Sequence, residues 1–351
     1  MAYTTINKST DHFNTKLWTG NDTDNTSITG ITFQPDLVWV KNRTSTNSHA
    51  LFDAVRGATK YIESDTTDAE ATGATFLKSF DSDGFTLGSG GRVNANSQNY
   101  CGWNWKAGTT GSGTTTGSGT GKAYSYSVNT TAGFSIVKYL GNGSAGHTIP
   151  HHLGVAPKMI ITKNLDSGVT WIVGHNSIAW TNILFLDTNA APSDDANAFN
   201  DTAPTSSVWT VGTGNGNNSN NVNYIAYCFA EKTGFSKFGS HIGNGSSDGT
   251  FIYTGFVPAF FMLKKTNAGG DKWRMWDNAR SPFNLVDDSL ACNETSAEYD
   301  DASVSLDFLS NGVKMRMSGN GAGNGSGESY IYMAFAEEPI VGTNNVAATA
   351  K

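Results

Sequence analysis

Charge is in short supply: Asp, Glu, Lys and Arg make up 15% of the 351 residues, against about 25% in ordinary globular chains. Long coiled coils and basic nucleic-acid clamps need dense Lys, Arg and Glu, so neither is expected. A net charge of −7 with a pI near 5.4 offers no attraction to nucleic-acid phosphates or anionic membranes. No run of about 18 uninterrupted apolar residues occurs, which argues against membrane insertion. The opening MAYTTINKSTDHFNTK lacks a charged leader followed by an apolar core and does not read as a secretory signal. Three cysteines, Cys101, Cys228 and Cys292, are too few and too scattered for a disulfide framework or a zinc site. They fit buried thiols in a reducing cytoplasm. Helical periodicity is nearly absent; ALFDAVRGATK (50–60) reads either as a short helix or as an irregular strand and turn.

What the chain does have is Gly, Asn, Ser and Thr around short apolar runs, and those runs recur. Gly-Asn follows Thr19, Leu140 and Ile242. A proline comes next, at Pro35, Pro157 and Pro258, opening PDLVWVK, PKMIITK and PAFFMLK. Aromatic stretches follow as HALFD (49–53), WIVGH (171–175) and WRMWD (273–277), then DGFTLG, SVWTVG and NGVKMR. A run from a tyrosine ends each set: YCGWNW at Tyr100, YIAYCF at Tyr224 and YIYMAF at Tyr330, each with an asparagine six residues earlier, at Asn94, Asn218 and Asn324. Landmarks in one order three times indicate an internal triplication.

The runs are rich in β-branched and aromatic residues and bounded by turn formers, so they read as strands. The proline-led runs are apolar at every position, as central strands covered on both faces are. The expectation is all-β: three tandem β-sandwich repeats of jelly-roll or lectin-like type, at 1–107, 124–233 and 234–351. Residues 108–123, GTTGSGTTTGSGTGKA, read as a flexible or extended linker spanning roughly 20–25 Å. The second and third repeats, joined without such a tract, should dock tightly and the first should be tethered.

Groups able to do chemistry are sparse. Asp53 with Arg56 and Asp277 with Arg280 stand at matching D-x-x-R positions that the second repeat breaks with His175 and Ile178; structural ion pairs at a turn fit this better than a catalytic pair. Lys41, Lys163 and Lys264 end the proline-led runs and read as lysines reaching water from a buried strand. His147, His151 and His152 sit in a Gly/Pro-punctuated loop without partner ligands at a metal-site spacing, and read as surface histidines. DSDG (81–84) opens like a calcium loop but lacks its later ligands and reads as a turn. No paired-carboxylate, GxSxG, Walker or HExxH signature occurs, so no catalytic residue, cofactor or metal is expected. The tracts 212–223 and 318–329, with Asn218 and Asn324, could present polar groups to a glycan or partner beside Trp171, Trp209 or Trp273.

The pattern G-N…P-x-[LMF]…K…W…Y-I-x-x-x-F-A-E, with FSIVKYLGNGS, YIAYCFAEKTGFSKFGSHIGNGSSDGTFIYTGFVPAFFMLKK and YIYMAFAEEP, resembles a repeat domain of unknown function. That domain is common in virion structural proteins of marine bacteriophages, including cyanophages. The resemblance covers nearly the whole chain outside 108–123. It implies a non-enzymatic component of the virion exterior, a tail fibre or appendage, assembled in the host cytoplasm beside other virion proteins and in contact with a host-surface glycan. A capsid decoration protein and a virion-associated polysaccharide-degrading enzyme are the alternatives. A homotrimer is the expected assembly.

Overall fold

A computed structural model describes residues 4–319 and 323–341. The outer ends of the first and third expected repeats, 1–3 and 342–351, and residues 320–322 of the 318–329 tract lie outside the described residues. Strand accounts for 44% and helix for 4%, in several antiparallel sheets, and the chain is all-β. Of the two readings of 50–60 the strand and turn is the one found: Ala50–Asp53 is a strand. It stops where Asp53 turns its carboxylate onto the backbone N–H groups of Val55 and Arg56, a local bond that competes with helix.

Three sheets share one order of strands. In the first, the opening strand Phe13–Thr19 pairs with the closing strand Asn99–Trp105, which pairs with the proline-led strand Leu37–Asn42 and then Ala50–Asp53. The second runs Phe134–Leu140, Asn223–Phe229, Met159–Asn164, Ile172–His175, and the third Ser236–Ile242, Ser329–Pro339, Phe256–Lys265, Arg274–Asp277. Each proline-led strand is internal and buried along its length. Pro35 and Pro157 precede their strands, but Pro258 lies within its own, where the pairing shifts register; a bulge accommodates the missing N–H.

The two faces of these strands have different cover. In the first segment Val38, Val40, Phe52 and Tyr100 pack on Ile28, Leu77, Phe85 and Leu87 from a small sheet of Thr26–Thr29, Gly84–Leu87 and Leu77–Asp81. Leu37, Trp39, Leu51, Trp103 and Trp105 alternate with them and turn the other way, into a cluster shared with Phe134, Phe229, Phe235, Phe260 and Phe335. Rings from all three segments surround Phe335: Phe13, Trp105, Phe229, Phe235, Phe238 and Phe260 have centroids 5.1–6.3 Å from it.

The sequence landmarks are braces. Asn94, Asn218 and Asn324 each accept from the N–H of Asn21, Asn142 and Asn244 and return their amide to the carbonyls of Gly88, Gly212 and Met317. The glycine before each donating asparagine, Asn21, Asn142 or Asn244, is required by space. A Cβ on Gly20, Gly141 or Gly243 would lie 2.2–2.3 Å from the carbonyl oxygen of Ala95, Ser219 or Gly325.

Two expectations about connection need correcting. Residues 108–123 are no free linker: Thr109–Thr114 pairs with Ala123–Asn129, which pairs with the opening strand of the second segment, and Thr116–Gly117 pairs with His147–Pro150. Small side chains suit an edge strand there, and Thr115 is buried beneath. Nor is the first segment merely tethered, because its Trp103 and Trp105 sit in the shared core with Phe235 and Phe238. Proteolytic nicking at the exposed tip around 118–121 should therefore leave residues 1–117 and the remainder co-eluting on gel filtration under native conditions. Separation of the two pieces without denaturant would contradict a shared core.

Candidate functional site

The D-x-x-R groups, Trp171 and Trp273 converge on the junctions between segments, and the contacts there follow one direction around the molecule. Trp103, on the first closing strand, donates from Nε1 to Asp277 Oδ2 of the third segment at 2.9 Å. Tyr227, at the matching place on the second, donates to Asp53 Oδ2 of the first at 2.9 Å. At the matching place in the second segment, His175 Nε2 meets the carbonyl of Tyr332 of the third at 3.2 Å. A second ring of contacts repeats the direction: Trp171 Nε1 donates to Glu63 O, Trp273 Nε1 to Phe185 O, and His49 Nε2 meets Ala291 O, all at 2.8–3.0 Å.

The D-x-x-R pairs are ion pairs at a turn. Arg56 Nε donates to Asp53 Oδ2 and Arg280 Nε to Asp277 Oδ2, with all four side chains inaccessible to solvent. The Nη2 of each bonds a carbonyl, of Leu51 or Met275, which lowers the cost of burying the guanidinium. Glu298 links the first and third segments through two parallel bonds from Arg43 and one from Arg280 Nη1 at 2.9 Å. The facing Asp53 and Asp277 keep both arginines charged, raising them above their ordinary value against the opposing effect of burial.

Lys41, Lys163 and Lys264 do not reach water. All three are buried, and burial pushes each down to about 8. Lys41 Nζ donates to Thr295 O and Lys163 Nζ to Thr67 O, each across a junction; Lys264 Nζ donates to Lys265 O. At Lys41 and Lys163 the neighbouring segment supplies the carbonyl that receives the buried ammonium. His147 and His151 are likewise interior rather than surface groups. His147 Nε2 meets Thr115 Oγ1 at 2.7 Å and so helps hold the 108–123 tract down. The DSDG segment is a turn in which Asp83 accepts from the N–H groups of Gly30 and Thr32.

The residues expected to face a glycan are elsewhere than expected. Trp171, Trp209, Trp273, Asn218 and Asn324 are all 0–1% exposed, because the indoles close junctions or fill sandwich cores and the asparagines brace turns. None of the five can touch an external ligand. At the surface, Tyr124, Tyr126 and His152 form a stack, with Tyr126 and His152 centroids 3.7 Å apart. Tyr124 divides a cavity of about 290 Å3, beside Lys138 and Leu140, from one of about 410 Å3, beside Pro150, Ser206 and Ser207. Among the described residues no group of three or more His, Cys, Asp or Glu side chains could hold a metal ion, and no helix is long and apolar enough to cross a membrane. The three thiols are free and buried, and burial raises all of them.

The cross-junction contacts and His49 were not singled out by sequence. The signal was present in the alignment of HALFD, WIVGH and WRMWD, which sets His49, Trp171 and Trp273 in one place, but not which segment each would face.

Two predictions follow from this geometry. Tyr227→Phe removes one buried hydrogen bond to a carboxylate that Arg56 still holds, and should cost about 1–3 kcal/mol in urea unfolding. Asp53→Ala strands the Arg56 charge and should cost about 3–5 kcal/mol; equal losses in the two variants would contradict the pairing. The second concerns acid. His175 accepts from Ser177 N–H at Nδ1 and faces a carbonyl with Nε2, so it is held neutral, and burial lowers it to about 4. The unfolded chain then binds the extra proton first, and the stability His175 supplies above pH 6.5 is lost as pH falls from about 6.5 to 4. Urea midpoints of the native protein should fall more steeply over that window than those of His175→Gln.

No curated protein and no solved structure matches the chain. One family model matches residues 8–339, which is most of the length and includes all three segments. The chain belongs to the family described as Domain of unknown function (DUF7483).

Proposed function

We propose that the protein is a non-enzymatic structural component of a bacteriophage virion exterior, of tail-fibre or appendage type, built as three copies of one β-sandwich unit closed into a ring within a single chain. The observation that carries the structural role is the fate of the ionisable groups. Asp53, Arg56, Asp277, Arg280, Lys41 and Lys163 are enclosed at junctions, Lys264 is buried within its own segment, and all are spent on one another or on backbone carbonyls, where no substrate reaches them. A general acid or base has to meet its substrate. The shared strand order and the one-way contacts support the three-unit reading, and the virion setting rests on the sequence resemblance. The ring closes its three junctions internally, so this proposal puts a single chain where a homotrimer was expected. The Tyr124 surface is where a host-surface glycan would meet half-buried aromatic rings.

Antibody labelling of intact particles, viewed by electron microscopy, should mark the tail or its appendages. Labelling confined to the capsid would favour the decoration alternative, and absence of the protein from purified particles would reject both. The purified chain should release no reducing ends from host polysaccharide; release would restore the enzyme reading.

A further inference from the structure

The outer edges of the three sandwiches are finished differently. Matching register sets Thr19, Leu140 and Ile242 in one place at the end of the opening strand. It likewise aligns Ser27, Thr148 and Phe251, then Thr29, Pro150 and Tyr253, on either side of the buried Ile28, Ile149 and Ile252. In the first segment these edge positions are Thr19, Ser27 and Thr29, polar and exposed. In the second they are covered by the arm 109–129: Ala123–Asn129 pairs with the opening strand and Thr116–Gly117 with His147–Pro150. That leaves Leu140, Thr148 and Pro150 half-buried. In the third the positions are apolar and uncovered: Ile242 is 64% exposed, Phe251 43% and Tyr253 54%.

Among the described residues nothing pairs with the outer side of Gly239–Ile242 or Phe251–Tyr253. The start of that opening strand is different, because Glu231 accepts from Phe238 N–H and from Lys237 Nζ there. The two open edges meet, since Thr250 Oγ1 donates to Ile242 O at 2.8 Å. Unpaired strand edges are usually blunted by charge, proline or cover, and large apolar side chains exposed beside them mark a contact surface.

We propose that this corner of the third segment is a strand-acceptor site for an extended, uncharged arm of a separate partner protein, which adds a strand along Gly239–Ile242 and reaches across to Phe251–Tyr253. The class of occupant follows from the arm that fills the corresponding corner of the second segment. It is one continuous stretch, rich in Thr, Ser, Gly and Tyr with Lys122 its single charge, and it bonds both sheets at once. Main-chain bonds would give affinity and the three apolar side chains selectivity. The inference rests on the correspondence between segments proposed above.

Amide hydrogen exchange on the whole chain tests it, with a synthetic peptide of residues 108–129 as the probe. In the dilute protein alone, amides of 137–140 should exchange slowly, and those amides of 239–242 and 251–253 that point away from the paired strands Ser329–Pro339 and Gly312–Met315 should exchange fast. Peptide at millimolar concentration should slow the second set about tenfold or more. The surface variant I242T/F251S/Y253T, which takes the first segment's residues, should fold and lose that protection. Fast exchange at 137–140 would refute the correspondence itself. With 137–140 slow, an unchanged third-segment edge on adding peptide would overturn the acceptor site alone. Protection rising with protein concentration in the absence of peptide would identify a second copy as the occupant and overturn the separate partner.

Discussion

A strand that is apolar on both faces has to be covered twice, and the rest of this structure depends on that. Leu37–Asn42, Met159–Asn164 and Phe256–Lys265 are buried at every residue. A small three-stranded sheet covers one face in the first segment, with Val38 and Val40 beneath Phe85 and Leu87. Left alone, the other face would expose Leu37, Trp39, Trp103 and Trp105, an apolar patch no ordinary monomer tolerates. The other two segments cover it. The aromatic cluster around Phe335 is therefore a consequence of the strand pattern, and the segments close on one another because each lacks the second half of its own core.

Closing such a core traps backbone and side-chain polar groups at three junctions, each of which needs a partner. The buried charges answer that need. A Lys in place of an apolar residue at 41 or 163 reaches across a junction and bonds a carbonyl of the next segment, and Arg43 with Glu298 does so with paired charges. Replacing such groups by hydrocarbon can be neutral for stability. What they supply is register, since a carbonyl bonded at about 3 Å can sit in one place only.

Much of this was legible. Strands, their internal position and the ion-pair character of D-x-x-R come from local pattern: unbroken apolar runs, turn formers, and a carboxylate three residues before an arginine. What was not legible depended on which surface meets which. Lys41 and Lys163 sit at strand ends where a lysine ordinarily reaches solvent, and only the neighbouring segment makes those ends interior. Residues 108–123 have the composition of a linker, yet an edge strand needs no side chain to pair its backbone, and Gly, Ser and Thr permit that as well as they permit disorder. Trp171 and Trp273 look like ligand platforms when the residues facing their Nε1 groups, Glu63 and Phe185 in other segments, are unknown.

The break in the D-x-x-R pattern has a physical reason in the same geometry. Asp53 and Asp277 each have two side-chain partners, an arginine three residues on and a donor from another segment's closing strand, Tyr227 or Trp103. At the third junction the closing strand carries Met333 at the matching place, which donates nothing. A carboxylate at 175 would face an apolar core with one side unmatched, at a cost of several kcal/mol for a buried ion. The chain has His175 there, neutral and bonded to a backbone carbonyl that does not depend on side-chain identity, and Ile178 where the arginine would be. Donor, acceptor and counter-ion are missing together, as expected if the unit of constraint is the junction and not the single residue.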